Sequence, residues 1–158
     1  MYLREYEHLT SSVQEVTQNI QSLSKQAAYQ EEVKLLSSAP GIGTLSAMEF
    51  LMEIGDIHRF ENGDQLAAYV GLTPSPYSSG EHTRLGRITK SGKSHLRATL
   101  IEASWTAISK DEDLRKKFER VKQKAGAKRA IVAIARHLVT RLRLLLIKRE
   151  TYRLTPAV

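Results

Sequence analysis

Glu32-Val33-Lys34-Leu35-Leu36-Ser37-Ser38-Ala39-Pro40-Gly41-Ile42-Gly43-Thr44-Leu45-Ser46-Ala47-Met48-Glu49-Phe50-Leu51-Met52-Glu53-Ile54-Gly55 reads as helix, tight turn, helix. Pro40 disfavours helical geometry at Ala39, and Gly41 and Gly43 permit positive φ. Ile42, between the glycines, is placed to pin the turn to a core. Thr44 is the candidate cap of the second helix and Gly55 its expected stop.

Working towards the N-terminus, Tyr2, Tyr6, Leu9, Val13, Val16, Ile20, Leu23 and Ala27 are spaced alternately by four and three. That is an unbroken heptad seam set among Glu, Gln, Ser, Thr and Lys. So narrow a stripe predicts a coiled coil or helical arm that takes a partner helix; the alternative is an amphipathic helix lying on its own domain.

Towards the C-terminus, Gly55 to Gly63 is a connector with Ile57 and Phe60 as core anchors. A short helix over 64–70 follows, capped by Asn62 and ended by Gly71. Residues 73–94 are rich in Pro, Ser, Gly and Thr, with short extended pieces expected near 83–85 and 87–89. A loop of this length inside a domain points to function or to disorder. Three helices are predicted beyond it. The first carries Leu96, Leu100, Ile101, Trp105 and Ile108, with Trp105 read as core. The second opens on a capping box at Ser109–Glu112 and breaks at Gly126. The third sets Ile131, Ile134, Ala135, Leu138, Leu142 and Leu145 on one face. The tail after Thr151 is expected to fray. The fold class is therefore all-α: an arm over 1–30, a helical domain over 31–150, and a tail over 151–158. Within the domain, the helix-hairpin-helix covers about 32–55, the serine loop 73–94 and the C-terminal helices 95–148.

The 158 residues contain no cysteine, which removes disulfides, a cysteine nucleophile and thiolate zinc sites and fits a cytoplasmic location. No apolar run reaches the length of a membrane span, so no membrane partner is expected. The net charge of +7 hides a division. Residues 1–83 hold four basic residues against eleven acids, whereas residues 84–158 hold twenty against six. A polyanion is the expected partner of the second half, its plain alternative being a solvated basic surface.

Two segments carry candidate chemistry. The turn at Gly41, Gly43 and Thr44 exposes backbone N–H groups at a helix N-terminus, where a DNA phosphate can sit as in helix-hairpin-helix modules. Its alternative is a tight corner between packed helices. In the loop, Ser78 and Ser79 lie near Arg84, Arg87, Lys90, Lys93 and Arg97. A hydroxyl among cations suits attack on a phosphodiester, the cations offsetting charge on the phosphoryl oxygens. Basic loops also hold backbone phosphates without doing chemistry. Ser91-Gly92-Lys93-Ser94 fails as a P-loop, because Gly86 is one residue too far away and no buried strand leads in. The five histidines show no metal-ligand spacing. Arg97, a cation in a first helical turn, opposes the helix dipole and suggests an anionic or acidic partner.

From about Leu35 to Leu146 the chain resembles the C-terminal transposase domain of the insertion-sequence one-ten family, with its one-sixteen and nine-oh-two relatives and the pilin-gene inverting recombinases. The resemblance rests on Pro-Gly-Ile-Gly at 40–43, Arg59-Phe60 and Gln65-Leu66-Ala67-Ala68-Tyr69-Val70-Gly71-Leu72-Thr73-Pro74. It continues through Ser79-Gly80, Arg87-Ile88-Thr89-Lys90-Ser91-Gly92, Leu96-Arg97 and Ala133-Ile134-Ala135-Arg136-His137-Leu138.

What the resemblance implies is a DNA recombinase whose serine before the loop glycine is the nucleophile. That position is Ser79, with Ser78 as rival. It also implies an N-terminal RNase-H-like domain whose acids bind magnesium, joined through a coiled coil that residues 2–27 would supply. Dimers or tetramers on DNA, and in some members a structured guide RNA, belong to the same implication. No cofactor is expected in this chain. Because that acidic domain does not precede the seam, the chain is expected to be a piece of a longer protein or a truncated gene product that binds nucleic acid but does not recombine it unaided. Two other readings stand beside this one: a nonenzymatic helix-hairpin-helix DNA-binding module, and a coiled-coil assembly protein that needs no nucleic acid.

Overall fold

The computed structural model describes residues 2–79, 82–88 and 92–154, and for 74–79 and 82–88 the backbone only. In chain order the elements are α1 (Tyr2–Ser24), α2 (Gln30–Ser37), α3 (Thr44–Ile54), a 3-10 turn (Ile57–Arg59) and α4 (Gly63–Val70). Then come β1 (Pro74–Ser79), β2 (His82–Ile88), α5 (Ser94–Lys110), α6 (Glu112–Ala125) and α7 (Ala127–Lys148). The body is all-α, as expected. Inside the 73–94 loop the extended pieces expected near 83–85 and 87–89 fall on one strand, β2, as far as residue 88, and its partner β1 was not expected. The two strands pair as an antiparallel hairpin, with Ser79 opposite His82 and Ser78 opposite Thr83, and one register irregularity between Pro74 and Pro76.

α7 is the central post. Its buried residues Ala130, Ile131, Ile134, Ala135, Leu138, Val139, Leu142, Leu145 and Leu146 form a wide stripe, and every apolar position expected on that face is in it. Against the stripe pack α2, α4, α5, α6 and the 3-10 turn. Leu36, Phe50, Leu66, Val70 and Leu72 supply the core from the first half of the chain. A smaller cluster of Phe118, Ala130, Ile131 and Ile134 joins α6 to α7.

α1 docks only through its end. Ile20 packs on the core and Ser24 is buried, whereas Tyr2, Tyr6, Leu9, Val13 and Val16 are exposed, Tyr2 by 85%. The helix stops at Ser24, so Ala27 at the end of the seam lies in the following turn.

Several local readings need correction. Gly43, not Thr44, occupies the cap position of α3, and no side chain caps that end. Of the two turn glycines only Gly41 has positive φ, at +86°, while Gly43 is at −91°. The start of α6 is capped by Asp111, whose Oδ1 accepts from the N–H groups of Asp113 and Leu114. Ser109 still belongs to α5 and donates to the Thr106 carbonyl. Trp105 is 44% exposed and meets Phe118 edge-on, because α5 buries Leu96, Leu100, Ala103, Ser104 and Ala107 instead. Asn62 caps α4 as expected, and Gly55, Gly71 and Gly126 end their helices.

The tail does not fray at Tyr152. Its ring is buried, its N–H donates to Ser38 Oγ at 2.8 Å, and its hydroxyl donates to Asp111 Oδ2 at 2.6 Å. One residue thereby ties the end of α2 to the start of α6. Burial and the Asp111 carboxylate push the phenol well above its ordinary range, so it remains a donor. Tyr152→Phe leaves a buried carboxylate oxygen without that donor. The expected loss is about 1–3 kcal/mol, read as a lower urea midpoint with unchanged slope.

Candidate nucleic-acid interface

The hairpin stands on a base built by the ends of α3, α4 and α5. Gly71, in the left-handed conformation, closes α4 just before β1. Gly92, at φ +97°, returns the chain from β2. A Cβ at Gly92 would lie 2.6 Å from the Tyr69 carbonyl oxygen and 3.1 Å from the Gly71 nitrogen. The two stems therefore run backbone against backbone, and only glycine fits there.

Around this base the family-like residues gather. The Arg59 guanidinium lies 4.8 Å from the Phe60 ring centre and 4.7 Å from that of Tyr69, which themselves meet edge-on at 5.3 Å. Tyr69 donates to the Glu53 carbonyl. Lys93 pairs with the Glu53 carboxylate at 2.8 Å, and that hydrogen bond and charge raise its pKa. Arg97 donates to the Val70 carbonyl at the end of α4, so its guanidinium meets the negative pole of a second helix. His95 Nδ1 lies 2.6 Å from Glu49, whose hydrogen bond and then whose charge raise the imidazole above its ordinary pKa. Thr99 donates to the other Glu49 oxygen.

The sequence candidates thus fall into groups. Lys93 and Arg97 brace the base of the hairpin. Ser78, Ser79, Arg84 and Arg87 lie on its strands, their side chains outside the described residues, as is the whole of Lys90. Adjacent strand positions belong to opposite faces, which separates Ser78 from Ser79. His82, cross-strand partner of Ser79, was not singled out in the sequence, where the extended pieces expected near 83–85 and 87–89 left Ser79 without a partner strand. Gly41, Gly43 and Thr44 lie apart, where α3 begins against α5. A Cβ on Gly41 would sit 2.9 Å from Ala103 Cα and overlap the Ala103 carbonyl oxygen. Gly43 is exposed, with open space where a Cβ would be.

The charge division is partly consumed inside the molecule. Arg136 pairs with Asp64 at 2.9 Å, and Arg149 with Glu31 at 2.9 Å and Glu32 at 3.6 Å. Arg143 donates to the carbonyls of Phe60 and Glu61. These cations, two on α7 and Arg149 at its C-terminal cap, hold the acidic first half against the basic second half. A second group of cations (Lys116, Lys117, Arg120 and Arg141) borders a cleft between α6 and α7.

Among the described residues no group of three or more His, Asp or Glu side chains is placed to hold a metal ion. No described helix is long and apolar enough to cross a membrane.

Comparison with known proteins shows the family of the chain. A family model described as "Transposase IS116/IS110/IS902 family" matches residues 33–119, from α2 into α6. The transposase for insertion sequence element IS1111A of Coxiella burnetii is 32% identical over 84% of this chain and 38% of its own length. The transposase for IS1328 of Yersinia enterocolitica is 29% identical over 63% of this chain and 29% of its own. A protein of insertion element IS110 from Streptomyces coelicolor is 28% identical over 67% of this chain and 26% of its own. The chain therefore spans well under half the length of these relatives. With the matched segment running through the turn, the hairpin and the helices that carry it, the chain belongs to the IS116/IS110/IS902 family of transposases.

Proposed function

We propose that the chain is the DNA-binding, serine-bearing part of an insertion-sequence transposase, acting in strand cleavage and transfer. What supports this reading most is the hairpin. It gathers Ser78, Ser79, Arg84 and Arg87 onto two paired strands, and its stems are locked by Gly92 against the Tyr69 carbonyl. In the proposed step the Ser79 hydroxyl oxygen forms a bond to a DNA phosphorus and loses its proton to a base. The bond from that phosphorus to a deoxyribose oxygen breaks, and the sugar oxygen leaves as a hydroxyl. The serine–phosphate ester keeps the strand attached for rejoining to a second end. Cations at 84, 87 and 90 offset charge on the phosphoryl oxygens. Divalent-metal chemistry, and the acids for it, would come from the portion of the relatives that this chain does not match.

Of the seam over residues 2–27, the exposed stretch from Tyr2 to Val16 fits a dimer or tetramer contact. Gly43 and Thr44, at a helix start with no side-chain cap, fit a phosphate contact of the helix-hairpin-helix kind. A structured RNA partner would meet the same cationic surface.

The test is salt-dependent binding of the chain to a short DNA duplex, read by fluorescence anisotropy. Affinity is expected to fall roughly a hundredfold between about 50 and 200 mM salt, the loss for about four phosphate contacts. Binding that ignores salt, or no binding at low salt, rejects the reading in favour of a helical assembly protein.

A further inference from the structure

The cleft between α6 and α7 belongs neither to the hairpin nor to the turn. It encloses about 380 Å³ and is lined by Lys116, Lys117, Arg120, His137 and Arg141, with Asp113 as its one acid and Leu114 at its floor. Lys117, His137 and Arg141 are half-buried, so these donors are built into the helix interface rather than waving in solvent.

The arrangement around His137 has too many donors. Lys117 Nζ lies 2.9 Å from its Nδ1, and Arg141 Nε lies 3.3 Å from its Nε2. A neutral imidazole has a single acceptor nitrogen, the other carrying a hydrogen. One of these two approaches therefore sets N–H against N–H. Arg141 is also held from behind, 5.7 Å from the ring centre of Tyr152, whose hydroxyl is tied to Asp111. Four cations and one histidine thus converge on Asp113, with Glu112 3.9 Å from Lys116 and the Asp111 carboxylate acting on His137, and an incoming oxyanion would offset the remaining excess of positive charge.

We propose that this cleft is a phosphodiester-binding site, in which a nucleic-acid backbone phosphate accepts from Lys117, Arg120 and Arg141 while His137 becomes protonated. The inference rests on the proposed nucleic-acid binding of the chain and adds a second contact surface to it, separate from the hairpin. Burial, then the charges of Lys117 and Arg141, lower His137 to a pKa of about 4, with Asp111 opposing. Lys117 is lowered by burial and by Arg120 and Arg141. A bound phosphate reverses those repulsions. Bound, His137 therefore titrates at higher pH than free, and affinity through this cleft rises as pH falls through that range.

The experiment uses the whole chain with a DNA duplex and an RNA duplex of the same sequence. His137 is followed by NMR titration of its ring protons, free and bound. Lys117→Gln and Arg120→Gln are compared with Lys34→Gln on the acidic half. Binding in the cleft raises the His137 pKa by a unit or more. Each cleft variant then lowers the magnitude of the log–log salt slope by about one, while Lys34→Gln leaves it unchanged. Whichever duplex produces the larger His137 shift is the backbone the cleft takes. If the wild type binds either duplex but the His137 titration and both slopes stay put, the cleft proposal falls and the hairpin reading stands. A wild type that binds neither overturns both.

Discussion

Gly41→Ala is expected to lower the stability of the chain by about 3 kcal/mol, larger than any other single-methyl addition to the turn. Two costs combine. At φ +86° an alanine is strained by about 1–2 kcal/mol. Its Cβ would also overlap the Ala103 carbonyl oxygen and lie 2.9 Å from Ala103 Cα. Those are backbone atoms of α5, which cannot rotate away as a side chain can, so α3 and α5 must separate, at a further 1–3 kcal/mol or so. For a chain of this size that corresponds to a fall of about 10 °C in melting temperature. Gly43→Ala, two residues on, meets nothing within 4 Å and already has negative φ. Its cost is expected to be about 0.5–1 kcal/mol, that of alanine at a helix cap. The pair divides the turn's roles: Gly41 serves packing, and any phosphate contact falls to Gly43 and Thr44. Equal denaturation midpoints for the two variants would contradict that division.

That asymmetry also explains which parts of the fold were legible in the sequence. α7 was readable because its apolar residues repeat at the helical period over six turns, and a buried stripe of that length has no other reading. Helix ends at Gly55, Gly71 and Gly126 were readable because the left-handed or unusual backbone there is a property of the residue itself. Trp105 shares the helical spacing of Leu96, Leu100, Ile101 and Ile108 and so reads as core, yet it is half-exposed. The face of α5 that turns inward is chosen by Gly41, more than fifty residues away, whose close approach demands Ala103 at the contact. Asp111 displaced Ser109 as cap for a similar reason. Tyr152, from the far end of the chain, holds the second carboxylate oxygen and fixes where α6 begins.

The candidate site divides in the same way. Ser78, Ser79, Arg84 and Arg87 were visible because they crowd one stretch of unusual composition. The hairpin that pairs them was only half visible, since Pro74 and Pro76 argue against a strand and the cross-strand match of Ser79 with His82 depends on the turn. The cleft was invisible. Its residues come from α6 and α7, and each helix alone reads as an ordinary charged face. Lys117 and His137 meet only because α6 folds back along α7 at Gly126. Charge summed along the sequence was likewise a poor guide to surface, since Arg136, Arg143 and Arg149 are engaged with the first half.

Ser79→Ala is expected to abolish recombination in a full-length transposase that carries this chain, by a thousandfold or more, while leaving DNA affinity within about twofold. A covalent nucleophile has no substitute in its own step, so its removal costs about 4 kcal/mol or more of barrier lowering. A hydroxyl that merely touches phosphate costs about a tenth of that rate effect, being one hydrogen bond. Ser78→Ala is expected to keep recombination within a few-fold, because adjacent strand residues face opposite ways and only one of the two can share a face with the phosphate. The decisive readout is the serine–DNA ester itself, trapped on a nicked substrate as a complex that survives denaturation. It should form with the wild type and with Ser78→Ala and be absent with Ser79→Ala. Were the adduct lost with Ser78→Ala instead, the nucleophile would move one residue and the face of the hairpin presented to DNA would invert. Were both variants to form it, no hairpin serine would be the attacking group. The hairpin would then be a clamp on the strand, and Arg84 and Arg87 would matter for grip alone.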